Sequence, residues 1–241
     1  MHQDLTSHKV IITGITGGIA RETARLLLSL GAEVIVSARS QDKLDAAINT
    51  LDGNVSGYVM DLTNADDVAA FFGKVGAFDH LVTPAATGMF APVRDMDWDA
   101  ARALLDSKQW GQMLCVHHGA KHIKETGSIT LFSGTVTQKP LAGATMFAAA
   151  GAATEAAGRI WAFELAPVRV NTIAPGVIDT GVWAGIMGEE AAAGVKESIA
   201  QSLPVKRIGA PKDIAKSVAF LIDNSFVNGI TLVVDGGHRL V

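Results

Sequence analysis

Short runs dense in Val, Ile and Leu recur at residues 10–13, 34–37, 55–60, 80–83, 128–132, 168–173 and 230–234. Most are nearly continuously apolar rather than alternating, the pattern of strands covered on both faces. Between them lie stretches with apolar residues three and four apart, for example 22–30 and 213–222. That spacing predicts helices with one buried face. Repeated β-α-β units joined by right-handed crossovers give an α/β fold, a doubly wound parallel sheet in a Rossmann-type three-layer sandwich. In such sheets ligands sit beyond the carboxyl ends of the strands.

No low-complexity tract or Pro/Gly/Ser-rich linker divides the 241 residues, so residues 1–241 are expected to form a single domain. The net charge is only -4, and no Lys/Arg run interleaved with aromatics offers a surface to a phosphate backbone. No nucleic acid partner is expected. The first residues, MHQDLTSHK, are polar, and no apolar run approaches the ~20 residues that cross a bilayer. No membrane partner is expected either, and the location expected is cytoplasmic. Cys115 is the only cysteine, which excludes an intrachain disulfide or a multi-cysteine zinc site and suits a buried apolar role.

The first strand runs into TGITGGIA, residues 13–20. Gly14 permits a tight turn, Gly17 and Gly18 let backbone N–H groups approach a pyrophosphate, and the helix N-terminus favours its charge. Alone, such a turn is equally a plain β-α connection; on the first strand of a β-α-β series it points to a dinucleotide. The second strand ends in VSARS, placing Arg39 where an acidic residue would receive an NAD ribose. An arginine there suits a 2'-phosphate, so NADP(H) is favoured over NAD(H); the alternative is a solvated surface arginine. Asp61, in VMDLT, has two readings: acceptor for an adenine amino group, or a helix starter together with Asn64.

These stretches, with GSITLFS at 127–133, RVNTIAPGVIDT at 169–180, RIGAPKDIA at 207–215 and NGITLVVDGG at 228–237, resemble the short-chain dehydrogenase/reductase family over essentially the whole chain. The resemblance implies hydride exchange between a nicotinamide and a carbonyl or alcohol carbon. It implies a cofactor set of Gly14, Thr16, Gly17, Gly18, Ile19, Arg39, Asp61, Leu62, Ala85, Pro175, Gly176, Ile178 and Thr180. Thr180 keeps a second reading as a cap for the helix that follows.

Four residue types carry the family's chemistry: a tyrosine that exchanges the proton, a lysine four residues on, a serine that holds the oxygen and an asparagine that anchors a water. Ser133 matches the serine. In TMFAAAGAATEAAG, residues 145–158, the tyrosine and lysine positions fall on Phe147 and Gly151, and the asparagine position in DSKQWG falls on Lys108. The only tyrosine, Tyr58, belongs to the third strand. The chain is therefore expected to be an atypical member that lacks the Tyr-x-x-x-Lys pair. A lost general acid costs ~10²- to 10⁴-fold in rate. One compensation is legible: the Lys108 ammonium entering the space vacated at Gly151, as partner to Ser133. The alternative is a lysine whose stem packs and whose head reaches solvent. The sequence of TPAA at 83–86 also departs from the family, since Pro84 lacks an N–H.

Weaker signals remain. His118, His122 and Glu125 share a helical face if the helix runs that far; no metal is nevertheless expected. His117, Thr135 and Thr145 are substitute donors. Met89, Phe90, Trp183, Ile186 and Met187 fall in substrate-facing loops and suggest an apolar pocket, or packing of a lid. The reading is a small, largely apolar carbonyl or alcohol as small-molecule substrate, and a homo-oligomer, dimer or tetramer. The alternative is a non-catalytic dinucleotide-binding protein of the same fold, a sensor or structural partner.

Overall fold

The computed structural model describes residues 4–86, 88, 90–181 and 188–241. Seven strands, β1 (Lys9–Ile12), β2 (Glu33–Ala38), β3 (Val55–Val59), β4 (Phe78–Val82), β5 (Ile123–Phe132), β6 (Arg169–Pro175) and β7 (Thr231–Val234), form one sheet in the order β3-β2-β1-β4-β5-β6-β7. Every pairing is parallel. The order reverses between β1 and β4, which opens a crevice above their carboxyl ends.

The continuous apolar runs follow from burial on both faces. Val10 and Ile12 of β1 join one core with Ala24 and Leu27 of α1 (Gly18–Ser29), Leu44 of α2 (Gln41–Ile48) and a late helix numbered below. Ile11, between them, faces the other core with Phe71 and Phe72 of α3 (Ala65–Val75). Successive side chains on a strand point to opposite faces, so a sheet covered twice needs apolar residues at consecutive positions. Cys115 is buried in this second core, as expected.

One long helical stretch carries Ser107, Lys108 and Gln112. It begins as α4 (Trp98–Leu105), passes through a π-helical turn at Asp106–Trp110, and continues as α5 (Gly111–Gly119). A π turn widens the helix by one residue and rotates the side chains on it, a change often found at functional sites. Beside it lies α6 (Thr145–Glu164), whose small residues Ala150, Gly151, Thr154, Gly158 and Ala162 make its buried face. A Cβ at Gly158 would sit 3.0 Å from Thr172 Oγ1 and 3.1 Å from Leu131 Cδ1, so the run of small residues lets this helix lie close upon the sheet. Among the described residues the remaining α-helices are α7 (Glu189–Ser202) and α8 (Pro211–Asp223), the latter packing Ile214 and Val218 into the first core. Among the described residues no helix is long and apolar enough to cross a membrane.

Two expectations are corrected. The fifth strand starts at Ile123 rather than near 128, its first half running through exposed Lys124, Glu125 and Thr126. Because α5 ends at Gly119, His122 lies in a turn and Glu125 in a strand, so His118, His122 and Glu125 do not share a helical face. Among the described residues no group of three potential ligands could hold a metal ion.

Candidate functional site

The turn between β1 and α1 sets the first wall. Gly14 takes φ +70°, a conformation that disfavours side chains, and a Cβ there would lie 2.6 Å from Ala85 Cβ. Its carbonyl accepts from Gly17 N at 3.0 Å, which closes the loop just before α1. The first turn of that helix holds no acidic residue and its cap, Gly17, makes no side-chain bond. Its terminal N–H groups and dipole therefore face the cleft ready for an anion.

The cleft has a volume of about 290 Å³. Gly14, Thr16, Gly17, Gly18, Ile19, Arg39, Asp61, Leu62, Ala85 and Thr180 all line it. Arg39, at the end of β2, is exposed, and among the described residues no carboxylate lies within 4 Å of its guanidinium. Asp61 Oδ1 accepts from the N–H and hydroxyl of Thr63 at 3.0 and 2.8 Å, whereas Asn64 caps α3 by accepting from Asp66 N and Asp67 N. Thr180 packs against the helix start, its Cα 3.4 Å from a Cβ placed on Gly18. Pro175, Gly176 and Ile178 lie on the segment leading to it, outside the cleft wall. Ser37, Met60, Thr63 and Ser107 also line the cleft. Ser37 flanks Arg39 in VSARS, whereas Met60, Thr63 and Ser107 carry no signal in the sequence, since each looks like an ordinary strand end, turn or helix residue. The glycine turn, the bare helix start and the unpaired Arg39 fit the pyrophosphate and a phosphate-bearing ribose of a dinucleotide.

Ser133 follows β5 and is buried, its hydroxyl 3.4 Å from Ile173 O. Lys108, on the π turn, is buried at 8% exposure. Its stem does not carry its head to solvent: Nζ donates to the Ser133 carbonyl at 3.0 Å and stands 6.0 Å from the Phe147 ring centroid. Among the described residues it has no carboxylate partner. Burial lowers its pKa from 10.5 to about 8.

Phe147 is half-buried and Gly151 buried, and both touch neighbours closely. Phe147 stacks on Phe90 with centroids 4.8 Å apart, and its ring tip, Cζ, would lie 2.1 Å from a Cβ on Gly88. At Gly151 a Cβ would come within 2.8 Å of Thr137 Cγ2 and 3.4 Å of Ser133 Cβ. Thr137 is itself held, its hydroxyl donating to Glu155 Oε1 at 2.8 Å and to Gly134 O at 3.0 Å. The space beside Gly151 is thus taken by a threonine methyl, and the Lys108 ammonium lies instead on the Ser133 carbonyl. This corrects the expectation that the ammonium enters the gap at Gly151.

Other candidates fall away from this centre. His117 is exposed on α5 and faces a groove with Trp110, Met113 and Trp161. Thr145 is exposed and Thr135 is buried in the turn after β5. Tyr58 packs edge-on against Phe71, 6.0 Å between centroids. Met89, Trp183, Ile186 and Met187 lie outside the described residues.

A parallel sheet with this strand order, and a glycine turn opening the first helix beneath the crevice, defines a Rossmann-type α/β protein. A family model described as enoyl-(acyl carrier protein) reductase matches residues 14–239. The chain belongs to the short-chain dehydrogenase/reductase family. It is 30% identical to cis-4-hydroxycyclohexanecarboxylate dehydrogenase of Sinomonas cyclohexanicum, with 100% of both chains covered. It is 32% identical to the human dehydrogenase/reductase SDR family member 4 over 98% of this chain and 89% of that one. A crystal structure of a small-chain dehydrogenase in complex with NADPH superposes at a TM-score of 0.85, with 32% identity and 97% and 99% of the two chains covered.

Proposed function

We propose that this protein is an NADP(H)-dependent oxidoreductase that acts on a small, largely apolar carbonyl or alcohol and lacks the family's tyrosine–lysine pair. One observation carries the reading: a buried ammonium, without a counter-carboxylate among the described residues, stands on the carbonyl of the serine that matches the family's oxygen-holding residue. Arg39, which lines the cleft at the end of β2, supports NADP(H) over NAD(H). A bound nicotinamide would supply hydride. Ser133 would orient the substrate oxygen, and Lys108 Nζ, charged near neutral pH but with its proton loosened by burial, would donate to it. Phe90 and Phe147 give the apolar wall.

A second reading, a dinucleotide-binding protein without turnover, is favoured by the closure around Phe147 and Gly151, which leaves no room for an ordinary tyrosine–lysine pair. Exposed Trp110 at the end of the π turn and Ile160 and Phe163 on α6 support a homo-oligomer under either reading.

The test is NADPH oxidation over a panel of small cyclic and acyclic ketones and aldehydes, with Lys108→Met beside the parent and with NADPH binding titrated directly. Turnover lost in the variant supports the first reading. Tight binding without turnover in the parent supports the second.

A further inference from the structure

The upper edge of the β4–β5 ladder ends where Thr83 N donates to Thr130 O at 3.1 Å. Two residues on, Phe132 turns its own N–H and C=O to the same side, beyond the end of β4. The side chain of Gln112 takes both. Its Oε1 accepts from Phe132 N at 2.8 Å and its Nε2 donates to Phe132 O at 2.9 Å, as a neighbouring strand would. Its remaining valences are also filled: Oε1 accepts from the Thr83 hydroxyl at 2.8 Å, and Nε2 donates to Lys108 O at 2.5 Å. A carboxamide has two donors and two acceptor lone pairs, and here all four are used in a side chain only 3% exposed. Only one orientation of the amide satisfies these partners, because the reverse would set NH₂ against an N–H and an oxygen against two carbonyls.

The bonds close a ring. From Gln112 one arm reaches the Lys108 carbonyl on the π turn; the other reaches Phe132, whose next residue, Ser133, presents the carbonyl that holds Lys108 Nζ at 3.0 Å. Helix and strand are thereby tied at both ends of the same lysine. We propose that Gln112 is a positioning residue that fixes Lys108 and Ser133 relative to one another. The inference rests on the proposed role of Lys108 in the reaction for its functional meaning. A buried, fully satisfied polar network of this kind specifies one arrangement, while a half-satisfied one opens to water.

The experiment is a pH titration of the full-length protein labelled with [¹³Cε]lysine, following the Lys108 resonance by NMR, assigned through Lys108→Met. Gln112→Met keeps side-chain length and removes all four bonds. If the proposal holds, the ionisation midpoint of Lys108 rises by about one pH unit or more toward that of a hydrated lysine. The Lys74 and Lys212 resonances, away from the ring, stay where they are. An unchanged Lys108 midpoint in a folded Gln112→Met protein overturns it, because a merely space-filling glutamine would leave that midpoint alone. Should Gln112→Met fail to fold, Thr83→Val removes one bond to Oε1 and decides the matter by the same rise or its absence. Turnover of Lys108→Met is a separate readout: unchanged turnover there removes the role of Lys108 in the reaction and leaves the midpoint result to judge Gln112 by itself.

Discussion

Replacing Lys108 with methionine is expected to stabilise the protein at pH 7 even as it removes the ammonium of the site. The magnitude follows from burial. A pKa that falls from 10.5 to about 8, at ~1.4 kcal/mol for each tenfold, means that the folded protein bears a cost of about 3 kcal/mol for keeping this group charged. Methionine has nearly the same length and no charge, and its introduction sacrifices the bond to Ser133 O, a loss of about 1 kcal/mol. A net gain of about 2 kcal/mol remains. The sign of the pH dependence follows from the same values. The unfolded chain keeps the proton up to about 10.5 and the folded chain only to about 8, so the parent gains stability as pH rises between them. The advantage of the variant should therefore be flat below pH 8 and shrink above it. Urea unfolding followed by far-UV circular dichroism, at matched protein concentration and at pH 7, 8, 9 and 10, measures the difference directly. A variant destabilised by more than about 1 kcal/mol, by an amount independent of pH, would refute the reasoning and make Lys108 a structural strut.

Three further outcomes are expected. Arg39→Ala should weaken NADPH binding roughly 10- to 100-fold, the equivalent of a lost charge-assisted contact, and leave NADH binding nearly unchanged in calorimetric titration. Phe147→Tyr aims a hydroxyl at Gly88 and should lower stability by about 1–3 kcal/mol without raising turnover; a variant as stable as the parent in urea would show that the pocket has room. His80, buried and facing His8 and Ser128 at 3.0 and 2.9 Å, has its pKa brought down to about 3 by burial and by the charge of His8. Its folded value lies below the unfolded 6.5, so stability is lost as pH falls below 6.5, by about 2 kcal/mol at pH 5; the urea midpoint of His80→Leu should lack that part of the slope.

The layered fold was legible because burial on both faces of a parallel sheet forces consecutive apolar residues, as at Val10, Ile11 and Ile12. The early half of β5 was not, since Lys124 and Glu125 are exposed and carry no apolar signal. In the cleft, Gly14 and Arg39 were readable because a turn and a phosphate each demand a particular residue type. Lys108 was singled out by its alignment, but the direction of its side chain depends on a π turn that no periodicity announces. Gln112 was invisible for a different reason. An amide on a helix usually faces water, and its partners Thr83 and Phe132 stand 29 and 20 residues away in the chain. The same holds for His80, whose partner His8 is 72 residues distant. Thr137, which takes the space beside Gly151, comes from a turn that offered no motif.

A crystal structure of the NADPH complex tests the central claim most directly. The account predicts the pyrophosphate at the N–H groups of Gly17 to Ile19, the 2'-phosphate against Arg39, and the nicotinamide between Thr180 and the Ser133–Lys108 pair. A dinucleotide bound elsewhere, or one whose nicotinamide ring lies away from Ser133, would contradict it.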